Sequence, residues 1–336
     1  MVYITTRNSK ETYTAYHALN EYRSSDGGFY VPLHLPEMNI RDFKGKAMNQ
    51  AVAEVINCFF PVQLSGRDLD LAIGKTPVRL IAMNHRITVA ECWHNLDWDF
   101  SRMVNNIAAQ IRGVRDTEQS YGIWVEIVVR IGVLFGVYSG LQAVDKFDVA
   151  VVSSDCSAVV SAMYARKMGL PIENILICCN ENNNLWELIN HAEMRTGRVA
   201  VQTTTPECDK TVPELLEYMI NACGGEAATA RYITCCREGK TYFPEPEVME
   251  QLSCGVRATV VGQKRLSDTI PGAYGTHGYV FGPYSALSYA GLMDYRARTG
   301  ENSHGVILSE KGALLHDAFV AETMGISIDV LHRILD

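Results

Sequence analysis

The chain has 336 residues and a formal net charge of −8 at pH 7, with 47% hydrophobic and 20% charged residues. This is the composition of a globular protein, long enough for one large α/β unit or two domains, and it excludes wholesale disorder. The excess of acidic residues argues against a dedicated nucleic-acid-binding protein, which needs a basic face for phosphates.

The first third of the chain is less regular than the rest. Ser25 to Gly28 (SDGG) is a strong turn signal ahead of the apolar Phe29 to Val31. The N-terminus lacks a basic segment followed by an apolar one, so no secretory signal is predicted.

Residues 122–144 form the most apolar stretch of the chain. Its charge-free part, 131–144, has 14 residues, whereas a bilayer-spanning helix needs roughly 20. Glu126 and Arg130 are spaced to pair on one helix face. The pattern therefore predicts a buried amphipathic helix, and no membrane association.

The second half alternates short β-branched runs with helical segments of similar length. This alternation predicts a mainly parallel sheet with helices on both faces. Strands are predicted over 147–153, 174–179, 198–203 and 305–309, and helices over 157–169, 185–195, 212–223, 284–298 and 311–324.

Ten cysteines occur without any C-x-x-C spacing, which argues against a zinc ribbon or a thioredoxin motif. Cys178 and Cys179 lie in an apolar run, where a free thiol packs as a small hydrophobic group. We expect a reducing, cytoplasmic location.

Several segments resemble the threonine synthase family in the same order along the chain. Tyr3 to Arg7 (YITTR) is similar to the family's "Y.STR", and Asp26 to Pro32 (DGGFYVP) to its "DGGLYVP". Residues 162–172 (AMYARKMGLPI), 180–182 (NEN) and 205–217 (TPECDKTVPELLE) also match family segments. The resemblance implies the large-domain part of fold type II, the tryptophan synthase β-like fold of enzymes that use pyridoxal phosphate (PLP).

The resemblance also implies a reduced small domain. The family has a long stretch, including a phosphate-binding loop, where this chain has only the short polar connection 113–120. We therefore divide the chain into 1–112, which holds the N-terminal segment and the remnant of the lysine motif, the connection 113–120, and a main α/β domain over 121–336. The first and last parts are expected to form one compact unit.

The family's lysine motif, "HGPTLAFKDFG", corresponds here to residues 94–103 (HNLDWDFSRM). His94 is kept, but Ser101 replaces the lysine that binds PLP covalently, and a hydroxyl cannot form that bond. In the family's "GNFG" segment, Asp155 replaces the first glycine and brings a negative charge. No working cofactor is therefore expected, although PLP is the family's cofactor.

Candidate site residues follow from these positions, each with a plainer structural alternative. His94, Asp97 and Asp99 have the spacing of metal ligands, but the two aspartates also suit helix capping, so no metal is predicted. Cys156 lies between a predicted strand and the helix predicted over 157–169. A helix N-terminus there would lower the pKa of its thiol; the alternative is that Cys156 is a small buried residue. His277, Asp268 and Lys311 would form an acid/base cluster if their segments converge. The alternative is that His277 is a packed side chain and the two charged residues are solvated. The catalytic candidates are His94, Ser101, Cys156, His277 and Lys311.

The ligand-binding candidates are Arg7, Arg102, Asp155, Ser157 and Asn180. A guanidinium suits a carboxylate or a phosphate, although a surface salt bridge is the plainer and favoured alternative for each arginine. Whether the chain is an enzyme stays open. The favoured hypothesis is a pseudoenzyme or a PLP-independent protein for a small anionic amino-acid-like ligand.

Two alternatives remain. In the first alternative, the chain is an interaction module that self-associates or partners an active enzyme, because a reduced small domain would expose apolar surface. In the second alternative, the chain keeps residual threonine synthase or lyase activity.

Overall fold

The computed structural model describes residues 1–93, 98–117, 119–141 and 144–336. Strands from both the first third and the second half contribute to its sheets. The strands are β1 (Val2–Thr5), β2 (Tyr13–Thr14), β3 (Tyr30–Pro32), β4 (Arg79–Asn84), β5 (Ile87–Glu91), β6 (Phe147–Val152), β7 (Ile172–Cys179), β8 (Met194–Arg195), β9 (Thr241–Tyr242), β10 (Val256–Val260) and β11 (His304–Ser309).

Helices connect these strands and cover the sheet. They are α1 (Ala15–Asn20), α2 (Met48–Phe59), α3 (Gly66–Ile73), α4 (Phe100–Arg112), α5 (Ile123–Gly140), α6 (Ser157–Lys167), α7 (Asn184–His191), α8 (Leu216–Glu238), α9 (Pro246–Ser253), α10 (Gln263–His277), α11 (Pro283–Thr299), α12 (Asp317–Met324) and α13 (Ile328–Leu335).

The central sheet has the strand order β10-β7-β6-β11-β5-β4. Five of these strands run parallel, and β4 pairs antiparallel with β5 at one edge. The predicted fold class, an α/β protein with a mainly parallel sheet and helices on both faces, is confirmed. Because β4 and β5 come from the first third, residues on both sides of the connection 113–120 share this one sheet.

Side chains along each central strand alternate between two cores. In β6, Val149 and Val151 face the core that includes α5 and α6, whereas Ala150 faces the core that includes α10 and α11. Ile177 and Cys178 of β7 divide in the same way. This alternation is why the buried strands read as continuous apolar runs in the sequence.

Helix α5 is apolar all round and lies inside the fold. By length and composition it is the one helix among the described residues that would suit a membrane span, but 89% of it is buried in the protein. The expectation of a buried helix is confirmed, whereas the amphipathic description was wrong, since residues on every side of α5 are buried. Glu126 and Arg130 do pair, with 3.0 Å between Arg130 Nη2 and Glu126 Oε1.

Several element boundaries differ from prediction. Residues 198–203 form no strand, because side chains rather than a strand partner satisfy backbone groups there: Asn182 bonds both the N–H and the carbonyl of Val201. The helix predicted over 212–223 continues past Gly225, which breaks it locally with φ 64°. The helix predicted over 311–324 begins with a 3₁₀ turn, and β10 was missed.

Gly122→Ala is expected to destabilise the fold by about 1–3 kcal/mol or more, because overpacking forces backbone shifts. Gly122 immediately precedes α5, and an added Cβ would lie 2.2 Å from the carbonyl oxygen of Ala18. Urea denaturation measures the loss. Gly272→Ala in α10 is the control, since its Cβ would meet nothing within 4 Å. It should be neutral or stabilising by up to about 1 kcal/mol, and equal effects of the two changes would contradict the steric argument.

Candidate functional site

A cavity of about 310 Å³ lies where β6 and β11 end. The segments after these two strands meet the N-terminal ends of α4 and α6 and one side of α5. Open α/β sheets place ligands at this edge, outside the carboxyl ends of the strands. The lining residues are Asp99, Phe100, Ser101, Glu126, Arg130, Ser154, Asp155, Ser157, Glu207, Lys210, Glu310 and Lys311.

Arg130 is the buried charge of the site, with only 2% of its side chain exposed. Its Nε lies 2.5 Å from Glu310 Oε1, and its Nη2 also reaches Glu126. The guanidinium stacks over the Phe100 ring at 4.3 Å. A buried charge is tolerated only when it is paired and hydrogen-bonded, so these carboxylates are what allow an arginine inside an apolar helix.

The electrostatics of this cluster follow from burial and charge. Burial alone lowers the pKa of the Arg130 guanidinium, but Glu310 and Glu126 outweigh it and raise that pKa. Burial raises the pKa of Glu126, and Arg130 opposes that shift without cancelling it. Arg130 therefore stays charged, while the Glu126 carboxyl is held less firmly in its ionised form.

Asp155 occupies the N-terminal end of α6. Its Oδ1 accepts the backbone N–H of Ser157 at 2.9 Å and the Ser157 hydroxyl at 2.7 Å. A helix N-terminus is a ready anion site because its first N–H groups lack partners within the helix. Here one of those donors is already satisfied by the chain's own carboxylate.

Ser101 and Lys311 face the same cavity from opposite segments. Ser101 is exposed and follows Phe100 at the start of α4, which Asp99 caps by accepting the N–H of Arg102 at 2.9 Å. The ammonium of Lys311 pairs with Glu207 and lies 5.3 Å over the Tyr284 ring. Two lysines, Lys210 and Lys311, thus line the cavity, and Lys311 is engaged with a carboxylate.

The cavity brings together four of the sequence candidates: Ser101, Asp155, Ser157 and Lys311. His94 and Asp97 lie outside the described residues. Among the described residues, no group of three or more suitable side chains could hold a metal ion. Asp99 has the capping role that was the alternative to metal binding.

Three other candidates lie away from the cavity. Arg7 forms a two-pronged ion pair with the buried Glu217. Arg102 places its guanidinium 5.5 Å over the Trp98 ring. The Asn180 amide donates hydrogen bonds to Thr203, Thr205 and Asp209, so it supports the segment that follows β8.

The expected cluster of His277, Asp268 and Lys311 is not formed. His277 Nε2 lies 3.2 Å from the Tyr289 hydroxyl, and Asp268 pairs with Lys264 one turn earlier in α10. Only Lys311 lines the cavity. The alternative in which His277 is a packed side chain fits these contacts, because its ring also contacts the Tyr289 ring edge to face.

Cys156 is completely buried and its backbone has φ 74°, a left-handed conformation that is rare outside glycine. Burial raises the pKa of its thiol well above the ordinary value, and the negative charge of Asp155 adds to that effect. The alternative in which Cys156 is a small buried residue therefore fits, and the start of α6 does not activate the thiol. Desolvation outweighs the helix terminus here.

We expect iodoacetamide to modify Cys254 in the folded protein, and Cys156 at least about 100-fold more slowly, because only the accessible thiolate reacts. Cys254 is exposed, whereas Cys156 is buried with a raised pKa. Peptide mass spectrometry of native and urea-unfolded samples measures both rates. Similar labelling of the two thiols in the native sample would disprove the buried, unactivated state of Cys156.

Residues that the sequence analysis did not assign to the site also line the cavity: Glu126, Arg130, Glu207, Lys210 and Glu310. One signal was available. An arginine inside the most apolar stretch of the chain needs buried carboxylate partners. The pairing with Glu126 was recognised, but the contact with Glu310 spans 180 positions and has no local signature.

Comparisons with known proteins agree with this geometry. Residues 2–76 match the family model described as the threonine synthase N terminus. Threonine synthase-like 1 from Homo sapiens is 25% identical over 147 residues, which cover 42% of this chain and 19% of that protein. Threonine synthase-like 1 from Pongo abelii matches to the same extent. This chain therefore spans about a fifth of the length of these curated relatives.

Solved structures share the fold over nearly the whole chain. The PLP-bound threonine synthase from Brucella melitensis superimposes with a TM-score of 0.85 at 17% identity, covering 97% of this chain and 92% of that one. Yeast threonine synthase gives 0.82 at 15% identity, covering 96% and 90%. With the N-terminal family match, these likenesses confirm the resemblance found in the sequence: residues 2–76 match the N-terminal region of threonine synthases, and the chain has the fold of these enzymes.

Proposed function

We propose that this chain is a threonine synthase-like protein that works without PLP, as a pseudoenzyme or a repurposed protein whose cavity binds a small amino-acid-like ligand. PLP-dependent synthesis of threonine from O-phosphohomoserine would then be lost. The divided organisation into 1–112, 113–120 and 121–336, the reduced small domain and the cytoplasmic location belong to the same proposal.

One observation carries this proposal: Asp155 fills the anion position at the start of α6. A phosphate placed there would have to displace a carboxylate that already has its hydrogen bonds, and it would face that negative charge at close range. The residues at the cavity therefore do not fit a phosphate-bearing cofactor.

The two other requirements of the cofactor point the same way. Ser101, in place of the family's lysine, offers a hydroxyl and no amine. Lys311 does line the cavity, but its ammonium is paired with Glu207. That contact holds the Lys311 side chain against a carboxylate, so the side chain is not free to reach a cofactor aldehyde.

A spectral titration tests the proposal. Purified protein, incubated with PLP and dialysed, is expected to show no absorbance of a lysine-bound cofactor and no threonine formation from O-phosphohomoserine. Lys311→Ala and Lys210→Ala provide the matched controls, because these are the two lysines that line the cavity. A stoichiometric band that borohydride fixes, and that either variant abolishes, would overturn the proposal.

The interaction-module alternative predicts self-association or a co-purifying partner enzyme. Light scattering on the pure protein decides it, since a concentration-independent monomer mass would count against self-association. Among the residues that the structure describes, Leu71 and Val199 are the most exposed large apolar side chains, at 83% and 84%. They lie singly on different segments, and scattered apolar residues of this kind are ordinary on protein surfaces.

A further inference from the structure

We infer that the cavity takes a free α-amino acid as a zwitterion, without a phosphate, and prefers neutral or cationic side chains over anionic ones. This inference rests on the proposed function, because it uses the same cavity without PLP. It specifies the charge type of the ligand, and it replaces the small anionic ligand expected from the sequence with one that carries no net negative charge.

The first argument is the charge around the cavity. Five carboxylates line it, against the three cations Arg130, Lys210 and Lys311, which leaves two negative charges in excess. The carboxylates are Asp99, Glu126, Asp155, Glu207 and Glu310. A ligand with a net negative charge would add to this excess, whereas an ammonium group would reduce it.

The second argument is independent of that excess and concerns unused donors. Arg130 is buried, yet its Nη1 has no hydrogen-bond acceptor among the described residues. Leaving a buried charged donor without a partner is costly. Lys210 is exposed at the same cavity, and within the described ranges it makes no hydrogen bond or ion pair. These two cations match the carboxylate of a bound amino acid.

The acceptors for the ammonium group are nearby. Glu310 and Glu126 both reach Arg130 through Nη2 or Nε, and both side chains remain partly exposed, at 27% and 22%. The Arg130 guanidinium covers one side of each carboxylate, and each carboxylate still has lone pairs that can accept a hydrogen bond from a further donor. The site therefore offers a cationic position beside an anionic one, which is the pattern of an α-amino acid.

Size and the state of α6 restrict the ligand further. A volume of about 310 Å³ is at the lower end of the range for small-molecule pockets, so it suits one free amino acid rather than a nucleotide. A phosphorylated amino acid would have to place its phosphate among the excess carboxylates, since Asp155 has taken the amide at the α6 terminus.

Isothermal titration calorimetry with five probes tests the inference on the full chain. L-Lysine and L-serine are expected to bind. L-Glutamate and O-phospho-L-serine should bind at least about tenfold more weakly because of the excess negative charge. Cadaverine, which has the ammonium groups of lysine without its carboxylate, should also bind at least about tenfold more weakly.

Lys210→Ala should weaken L-lysine binding by about tenfold through loss of a charge-assisted contact. The exposed Lys75, which is not a lining residue, is the control: Lys75→Ala should leave binding unchanged. Lys210 is exposed, so the variant is expected to fold, and a thermal melt verifies this.

Two results would overturn the inference. One is tighter binding of O-phospho-L-serine than of L-serine, and the other is no heat from any amino acid at millimolar concentration. Neither depends on the cofactor test. A protein without the lysine-bound absorbance that also ignores all five probes would refute this inference while leaving the loss of PLP chemistry intact.

Discussion

Arg130→Met is expected to destabilise the fold by about 3–5 kcal/mol, the usual cost of removing one partner of a buried ion pair. Methionine fills a similar volume in α5, so the loss comes mainly from charge rather than from a cavity. Glu310 and Glu126 would keep their negative charges beside Phe100 without the guanidinium that compensates them. Urea denaturation at pH 7 measures the change.

The pH dependence gives a second signature of the same variant. Burial already raises the pKa of Glu126 in the folded protein, and Arg130 opposes that shift. Without Arg130 the folded-state pKa rises further above the unfolded value, so the folded state binds a proton more tightly than the unfolded state. The variant therefore loses most stability at a pH above the raised pKa, where the Glu126 carboxyl is ionised in the folded protein. The loss should shrink as the pH falls through that raised pKa.

Arg265→Met is the matched control. Arg265 pairs with Asp294 on the surface, and 47% of its side chain is exposed, so the loss should be no more than about 1 kcal/mol. Adding Glu126→Gln and Glu310→Gln to Arg130→Met should recover part of the stability, because the uncompensated charges are gone. Equal losses for Arg130→Met and Arg265→Met, or no recovery, would contradict the assignment of Arg130 as the buried charge.

Local sequence patterns predicted the central sheet well where strands are fully buried. The apolar runs of β6, β7 and β11 stand out because both faces of each strand lie in a core. The strands of the first third were harder. β4 is an edge strand whose short apolar run, Leu80 to Met83, is only partly buried, and it pairs antiparallel with β5, outside the alternation of strands and helices that predicted β6, β7 and β11.

The site was predictable only in part, for the same reason of distance along the chain. Ser101 and Asp155 were found because family motifs mark their positions, and Lys311 was found as a member of the expected cluster with His277. Arg130 with Glu310, and Lys311 with Glu207, are pairs across more than 100 positions, and no spacing rule connects them. Arg7 was a ligand-binding candidate, but in the structure it pairs with Glu217. An arginine within a family motif gives the same sequence signal in both cases.

Ser101→Lys is expected to restore neither stable PLP binding nor threonine formation. A covalent bond to the cofactor forms efficiently only when its aldehyde is held beside the amine, and the phosphate anchor provides that positioning. In this chain Asp155 occupies the donor at the start of α6 that would otherwise be free for an anion. Position 101 also lies in the first turn of α4, where the helix dipole disfavours a cation.

Ser101→Met is the control, because it adds a similar length without an amine. Both variants are incubated with PLP, dialysed, and compared by absorbance and by a threonine assay, and both are expected to match the unmodified chain. Adding Asp155→Gly to Ser101→Lys frees the Ser157 N–H, so the double variant should retain more PLP than either single variant. If Ser101→Lys alone held PLP stoichiometrically and turned over O-phosphohomoserine, the missing lysine would be the whole difference, and the carboxylate of Asp155 would be no barrier to the phosphate.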